Sequence, residues 1–193
     1  MAGNTNLAYR ALCRKFGAEL TTTEMVSSMA LRHNDTKSLG YLAKASNETP
    51  VAAQIFGADP ETLAIAVGSV QERGFDIVDL NVGCPVPKIT GGGGGSALLL
   101  EPQLAFDCVS AMIEAATVPV TVKIRAGWHD NDKNAPAFSE LMEKAGAAAI
   151  TVHGRTREQK YTGRSDLELI KLVAQAVDIP VIGNGDVIDI ESA

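Results

Sequence analysis

Residues 76–88 read Asp-Ile-Val-Asp-Leu-Asn-Val-Gly-Cys-Pro-Val-Pro-Lys. Asp76 to Leu80 is a short, mostly apolar run of the kind that forms a buried strand. Asn81 closes that run, and Cys84 stands just past it between Gly83 and Pro85. Gly91 to Gly95 follow within a few residues. A packing cysteine belongs inside a strand or on the buried stripe of a helix. A thiol in the loop at the carboxyl end of a strand, between rigid prolines and permissive glycines, is placed to do chemistry.

The same arrangement recurs along the chain. Strand-like runs are 18–23, 51–56, 76–81, 120–125, 147–152 and 181–184, all short and mostly apolar. Helical periodicity separates them over about 6–16, 60–73, 102–116, 135–145 and 166–176. Asp59 before Pro60 is an N-cap followed by proline in the first turn. Such alternation predicts a parallel sheet, either an open doubly wound sheet or a (β/α)₈ barrel. The strand ends favour the barrel, because its loops ring one mouth. They carry Glu24, Gln54, Asn81 with Cys84, Lys123 with Arg125, His153 with Arg155, and Asn184 with Asp186. Six strands are too few for a complete barrel, which needs eight and about 250 residues. The expected fold is therefore an incomplete TIM barrel over residues 1–193, lacking its first strand and everything after the seventh, with no internal domain boundary.

Composition sets further bounds. The chain is 46% hydrophobic and 21% charged, which suits a globular core. No apolar run reaches the roughly 18 residues of a membrane span. The start does not read as a signal peptide, and three scattered cysteines make no disulfide framework, so a cytoplasmic location is expected. A net charge of −6 argues against the whole chain being a basic nucleic-acid clamp, though a local basic face remains open.

The candidate chemistry lies at the strand ends. Cys84 has no second cysteine at Cys-x-x-Cys spacing and no Cys/His cluster, so zinc and dithiol roles are set aside and no metal is expected. Nucleophile and general acid stay open. Cys13 and Cys108 fall on helix faces and read as packing residues. The glycine run precedes Ser96 to Leu100 and reads as either a mobile loop that carries Cys84 over a substrate or an anion cradle before a short helix. Lys123 and Arg125 alternate with Val122 and Ile124, so both charges share one face and need an anion or a ligand there. His153 puts an imidazole at the mouth, with Arg155, Arg157, Lys160, Arg164 and Tyr161 behind it, a set suited to phosphate or nucleic acid. Gly183-Asn184-Gly185-Asp186 follows the last strand, where barrels often bind phosphate. Residues 129–134 begin like a calcium loop but lack its glycine and its closing glutamate.

Taken together, these motifs resemble the tRNA-dihydrouridine synthases, FMN-dependent (β/α)₈-barrel enzymes. The resemblance spans the chain: Met1-Ala2-Gly3, Gln54-Ile55-Phe56-Gly57, Asn81-Val82-Gly83-Cys84-Pro85, Val122-Lys123-Ile124-Arg125, Thr151-Val152-His153-Gly154-Arg155-Thr156 and Gly183-Asn184-Gly185-Asp186. It implies that Cys84 is the general acid that protonates uracil C5 while reduced FMN gives hydride to C6. Met1, Ala2, Gln54, Lys123, His153, Asn184, Gly185 and Asp186 match flavin-contacting positions. Asn81, Arg125 and Arg155 match positions near the substrate, Arg155 facing flavin phosphate or tRNA. NADPH is the implied reductant, tRNA the implied partner, and a monomer the implied state of the full-length protein. A thiol of ordinary pKa, about 8.5, is mostly protonated at neutral pH, as an acid must be.

The chain also departs from the family pattern. The Gly-Arg loop that completes the flavin phosphate site, and the C-terminal helical domain that grips tRNA, are absent from it. The polypeptide is therefore expected to bind FMN poorly and to turn over little. Two alternatives are another FMN barrel, such as a dihydroorotate dehydrogenase-like oxidoreductase, and a non-catalytic fragment.

Overall fold

A computed structural model of the chain describes residues 3–192. The strands are β1 (Thr21–Thr22), β2 (Val26–Ser27), β3 (Val51–Phe56), β4 (Ile77–Val82), β5 (Val120–Arg125), β6 (Ala149–His153) and β7 (Val181–Asn184). The helices are α1 (Leu7–Lys15), α2 (Ser28–Arg32), α3 (Thr36–Gly40), α4 (Pro60–Gln71), α5 (Pro87–Thr90), α6 (Pro102–Ala115), α7 (Ala135–Lys144) and α8 (Leu167–Ala176), with a 3₁₀ helix at Gly95–Leu100. Every strand pairing is parallel. β1 and β2 both pair with β3, so they act as one interrupted strand, and the order then runs β3-β4-β5-β6-β7. The result is a curled sheet of six rows alternating with helices, the arrangement of an incomplete (β/α)₈ barrel. Among the described residues, no further strand pairs with the outer edges of β1/β2 or β7, and the arc stays open.

The two faces of the sheet differ in chemistry. Val78, Leu80, Val82, Val120, Val122, Ile124, Ile150 and Val152 have no exposed surface and join the core with Leu63, Val67, Val109, Met112 and Met142 of the flanking helices. This apolar layer supplies most of the driving force, at roughly 25 cal/mol per Å² of apolar surface buried. The other face carries Gln54, Asp79, Asn81, Thr121, Lys123, Arg125 and His153. Because strand side chains alternate, every second residue of β3 to β6 lands there. The register sets Gln54 beside Asp79, Asp79 beside Thr121, Asn81 beside Lys123, and Arg125 beside His153.

Helix starts follow local rules. Asp59 accepts the Thr62 N–H at 2.9 Å ahead of Pro60, and Asp166 accepts the Leu169 N–H at 3.0 Å to open α8. The first strand begins later than its sequence suggests. Ala18 and Glu19 lie in the turn that ends α1, where their carbonyls accept from the Arg14 guanidinium and the Ala18 N–H binds the Cys13 carbonyl. A buried ion pair ties α1 to the loop before β3: Arg10 Nε donates to Glu48 Oε1 at 2.6 Å, with both side chains 2% exposed. Arg10 also donates to the Thr5 and Ala43 carbonyls, and Thr21 donates to Glu48.

Candidate active site

Cys84 lies at the rim of the polar face and is nearly buried, at 8% exposure. It stands apart from the hydrophobic core cluster that includes Cys108. Its backbone is held from both sides. The Cys84 and Gly83 N–H groups donate to Asn81 Oδ1 at 2.9 and 3.1 Å. The Cys84 carbonyl accepts from the Ser96 N–H at 3.1 Å and from Ser96 Oγ at 3.0 Å. The end of the glycine run is therefore tied to the Cys84 loop, and the Ser96 N–H at the start of the short helix is taken by the Cys84 carbonyl. Gly95 has φ of +59°, and a Cβ there would stand 2.7 Å from the Cys84 carbonyl oxygen and 3.2 Å from its Cβ. Glycine at 95 is what lets the turn close on the thiol-bearing loop.

Beneath Cys84 a line of polar side chains crosses the sheet. Asn81 Nδ2 donates to Gln54 Oε1 at 2.8 Å, and Gln54 Nε2 donates to Asp79 Oδ2 at 2.7 Å. Thr121 Oγ1 donates to Asp79 Oδ1 at 2.6 Å. Gln54, Asp79 and Asn81 are all buried. Burial pushes the Asp79 carboxyl above its usual range, opposed by the hydrogen bonds from Thr121 and Gln54 and by the charge of Lys123.

Lys123, half-buried on β5, donates to Asn184 Oδ1 at 3.2 Å. Burial lowers its pKa, Asp79 pulls the other way, and Arg125 adds to the lowering. His153 is held neutral: burial first, then Arg125, Lys123 and Arg155, bring its pKa down to about 4. Arg155 Nη1 lies 3.3 Å from His153 Nε2. A guanidinium can only donate, so Nε2 accepts and the ring proton sits on Nδ1. Gly185, at φ +113°, packs so closely that a Cβ would stand 2.9 Å from His153 Cδ2.

The two arginines read as substrate-facing are both buried and heavily engaged. Arg125 donates to the carbonyls of Gly83, Thr156 and Lys160 at 2.8, 2.8 and 2.7 Å, and its guanidinium lies 5.5 Å from the Tyr161 ring centroid. It joins the Cys84 loop to the loop after β6. Arg155 pairs with Asp186 at 2.6 Å and donates to the Gly163 carbonyl at 2.8 Å. The Ser165 N–H and Arg155 hold the Asp186 carboxyl below its usual range. Arg157 stacks on Trp128 at 4.4 Å, and Lys160, Tyr161 and Arg164 are exposed.

The structure thus brings Gln54, Asn81, Cys84, Lys123, Arg125, His153, Arg155, Asn184, Gly185 and Asp186 to one end of one face. Met1 and Ala2 lie outside the described residues. Asp79 and Thr121 were missed in the sequence. The available signal was a carboxylate inside an apolar strand, two residues before Asn81 and hence on the same face. Among the described residues, no three His, Cys, Asp or Glu side chains are grouped to hold a metal ion, and no helix is long and apolar enough to cross a membrane.

Comparison with known proteins agrees with this arrangement. The family model described as dihydrouridine synthase matches residues 1–193. A relative named probable tRNA-dihydrouridine synthase, from Rickettsia conorii, is 43% identical over 194 residues, covering 100% of this chain and 59% of the relative. A tRNA-dihydrouridine synthase B from Pseudomonas syringae pv. tomato is 42% identical over 193 residues, covering 100% of this chain and 57% of the relative. The chain thus spans less than two thirds of the curated relatives it matches. Among solved structures, a phosphonopyruvate hydrolase superposes with a TM-score of 0.62 at 16% identity, over 93% of this chain and 64% of that one, a likeness of fold alone. With the family match running through every strand end described above, the chain belongs to the dihydrouridine synthase family.

Proposed function

We propose that the protein reduces the C5–C6 bond of uridine in tRNA to give dihydrouridine, with FMN as cofactor, NADPH as reductant and Cys84 as the proton donor. The observation that carries this reading is the placement of Cys84. Its thiol stands at the rim of a polar face, on a loop fixed by Asn81, Ser96 and Arg125.

The residues on that face suit a flavin mononucleotide, which joins a planar imide-bearing ring to a phosphate. Among the described residues Lys123 offers a cation with a single side-chain partner, Asn184, and His153 is a neutral imidazole with its proton on Nδ1. Lys123, His153, Asn184, Gln54 and the Gly185 backbone are the groups that would hold it, together with Met1 and Ala2. Asp186, an anion, serves by fixing Arg155. Reduced FMN, when bound, supplies the hydride that reaches uracil C6.

The chain's own groups do the rest. Cys84 holds a proton at Sγ and releases it to C5. Arg125, through the Gly83 carbonyl, holds the loop that presents the thiol. Asn81 keeps the loop in place and, with Arg155, lies where the base would enter. Near-burial of Cys84 limits water at the thiol. A uridine in folded tRNA must leave its stack to reach a concave site, and an open mouth allows that.

The test is incubation of the purified protein with FMN, NADPH and unmodified tRNA, followed by nucleoside mass spectrometry. Protein that carries bound FMN should form dihydrouridine, at the low turnover expected of a chain spanning less than two thirds of its relatives. No product from protein that carries bound FMN would contradict the reading.

A further inference from the structure

We propose that Asp79 is a positioning residue for this site: its buried carboxylate anchors the amide chain that holds the Cys84 loop and supplies the counter-charge for Lys123. The inference takes the roles of Cys84 and Lys123 from the function proposed above.

The anchoring follows from hydrogen-bond polarity. Backbone N–H groups of Gly83 and Cys84 can only donate, so Asn81 must present its oxygen to them. Its Nδ2 then faces Gln54, whose oxygen accepts, and Gln54 Nε2 must find an acceptor in turn. Asp79 Oδ2 is that acceptor at 2.7 Å. Asp79 Oδ1 takes the Thr121 hydroxyl, so the carboxylate is bound on both sides. The chain runs in one direction from a backbone that must donate to a carboxylate that must accept. Both amides, which could otherwise turn over, are thereby fixed.

The counter-charge follows from position. Asp79 stands opposite Thr121, and Lys123 is the next residue of β5 on the same face. Among the described residues, the charged or titratable groups that act on Lys123 are Arg125 on its own strand, neutral His153 on β6 and Asp79 on β4, with the uncharged Asn184 on β7. Asp79 is the anion acting on Lys123 among the described residues. A carboxylate buried at 5% exposure is costly unless hydrogen-bonded and paired, and the Gln54 and Thr121 bonds and the nearby Lys123 charge meet that need.

Two substitutions separate the roles. Asp79→Asn keeps the shape and the acceptor for Gln54 and removes the charge; its amide then donates to Thr121 Oγ1, which turns its own proton away toward solvent. Asp79→Leu removes charge and acceptor together. NMR of the purified protein reads both effects without turnover. In Asp79→Asn, Lys123 should titrate at lower pH, read from isotope-labelled methyl groups on lysine, with the Gly83 and Cys84 amide resonances unmoved. In Asp79→Leu those two amide protons should shift upfield. Should Asp79→Leu not fold, Gln54→Leu breaks the same chain one link later and should shift the same amides. An unmoved Lys123 titration in Asp79→Asn overturns the counter-charge role. Unmoved Gly83 and Cys84 amides in the folded leucine variant overturn the anchoring role. Neither readout depends on product, so failure of the proposed reaction would appear separately, as wild-type protein that makes no dihydrouridine.

Discussion

Arg125 Nε donates to the Gly83 carbonyl at 2.8 Å, so the loop that carries Cys84 is held down by a side chain of the neighbouring strand. The same guanidinium reaches the Thr156 and Lys160 carbonyls through Nη1. Lysine has one nitrogen where arginine has a planar fork, and cannot span all three acceptors. Arg125→Lys should therefore destabilise the fold by about 2–3 kcal/mol. A urea titration checks this, and an unchanged midpoint would show that the clamp carries little.

Gly95 should tolerate no side chain. Its positive φ and the 2.7 Å approach of the Cys84 carbonyl oxygen to any added Cβ act together. Gly95→Ala is expected to cost about 1–3 kcal/mol and to displace the Cys84 loop. Thermal denaturation gives the first quantity, and the rate of Cys84 alkylation the second. Wild-type values for both would be evidence that the turn has room.

His153 makes stability depend on pH. Its folded pKa of about 4 lies below the ordinary 6.5, so the unfolded chain binds more protons between those values. Stability should fall as pH drops from 6.5 to about 4, and this contribution should level off below that. His153→Gln cannot titrate, and its melting temperature should fall less over the same window. Parallel curves for the two proteins would refute the assignment.

The Arg10–Glu48 pair offers a check away from the site. Arg10→Met strands Glu48, a carboxylate with almost no exposure, and should cost about 3–5 kcal/mol. Adding Glu48→Leu should recover much of that loss. Chemical denaturation of the single and double variants measures the difference, and a double variant as weak as the single one would contradict it.

The barrel geometry could be read from strand ends because parallel strands aim their chemistry at one rim. The alternation of Lys123 and Arg125 with Val122 and Ile124 gave their common face directly. What stayed hidden depended on distance along the chain. Arg10 and Glu48 are 38 residues apart, and nothing local marks them as partners. Arg155 looked available for phosphate until the fold brought Asp186 against it. The first strand was misplaced because Ala18 and Glu19, plausible strand residues, are taken up by the Arg14 turn. The short helices α2 and α3 carry capping residues, Ser27 and Asp35, but too few turns to show periodicity. The glycine run suggested mobility or an anion cradle, and the sequence did not show that Gly95 is also required sterically by its approach to Cys84.

The central claim is that Cys84 donates the proton to C5. The direct measurement is dihydrouridine formed in unmodified tRNA by wild-type protein and by Cys84→Ala, each with FMN and NADPH and each checked for bound flavin. Loss of a general acid should slow product formation by about 10²–10⁴-fold while flavin binding persists. Product formed by Cys84→Ala at the wild-type rate would contradict the account.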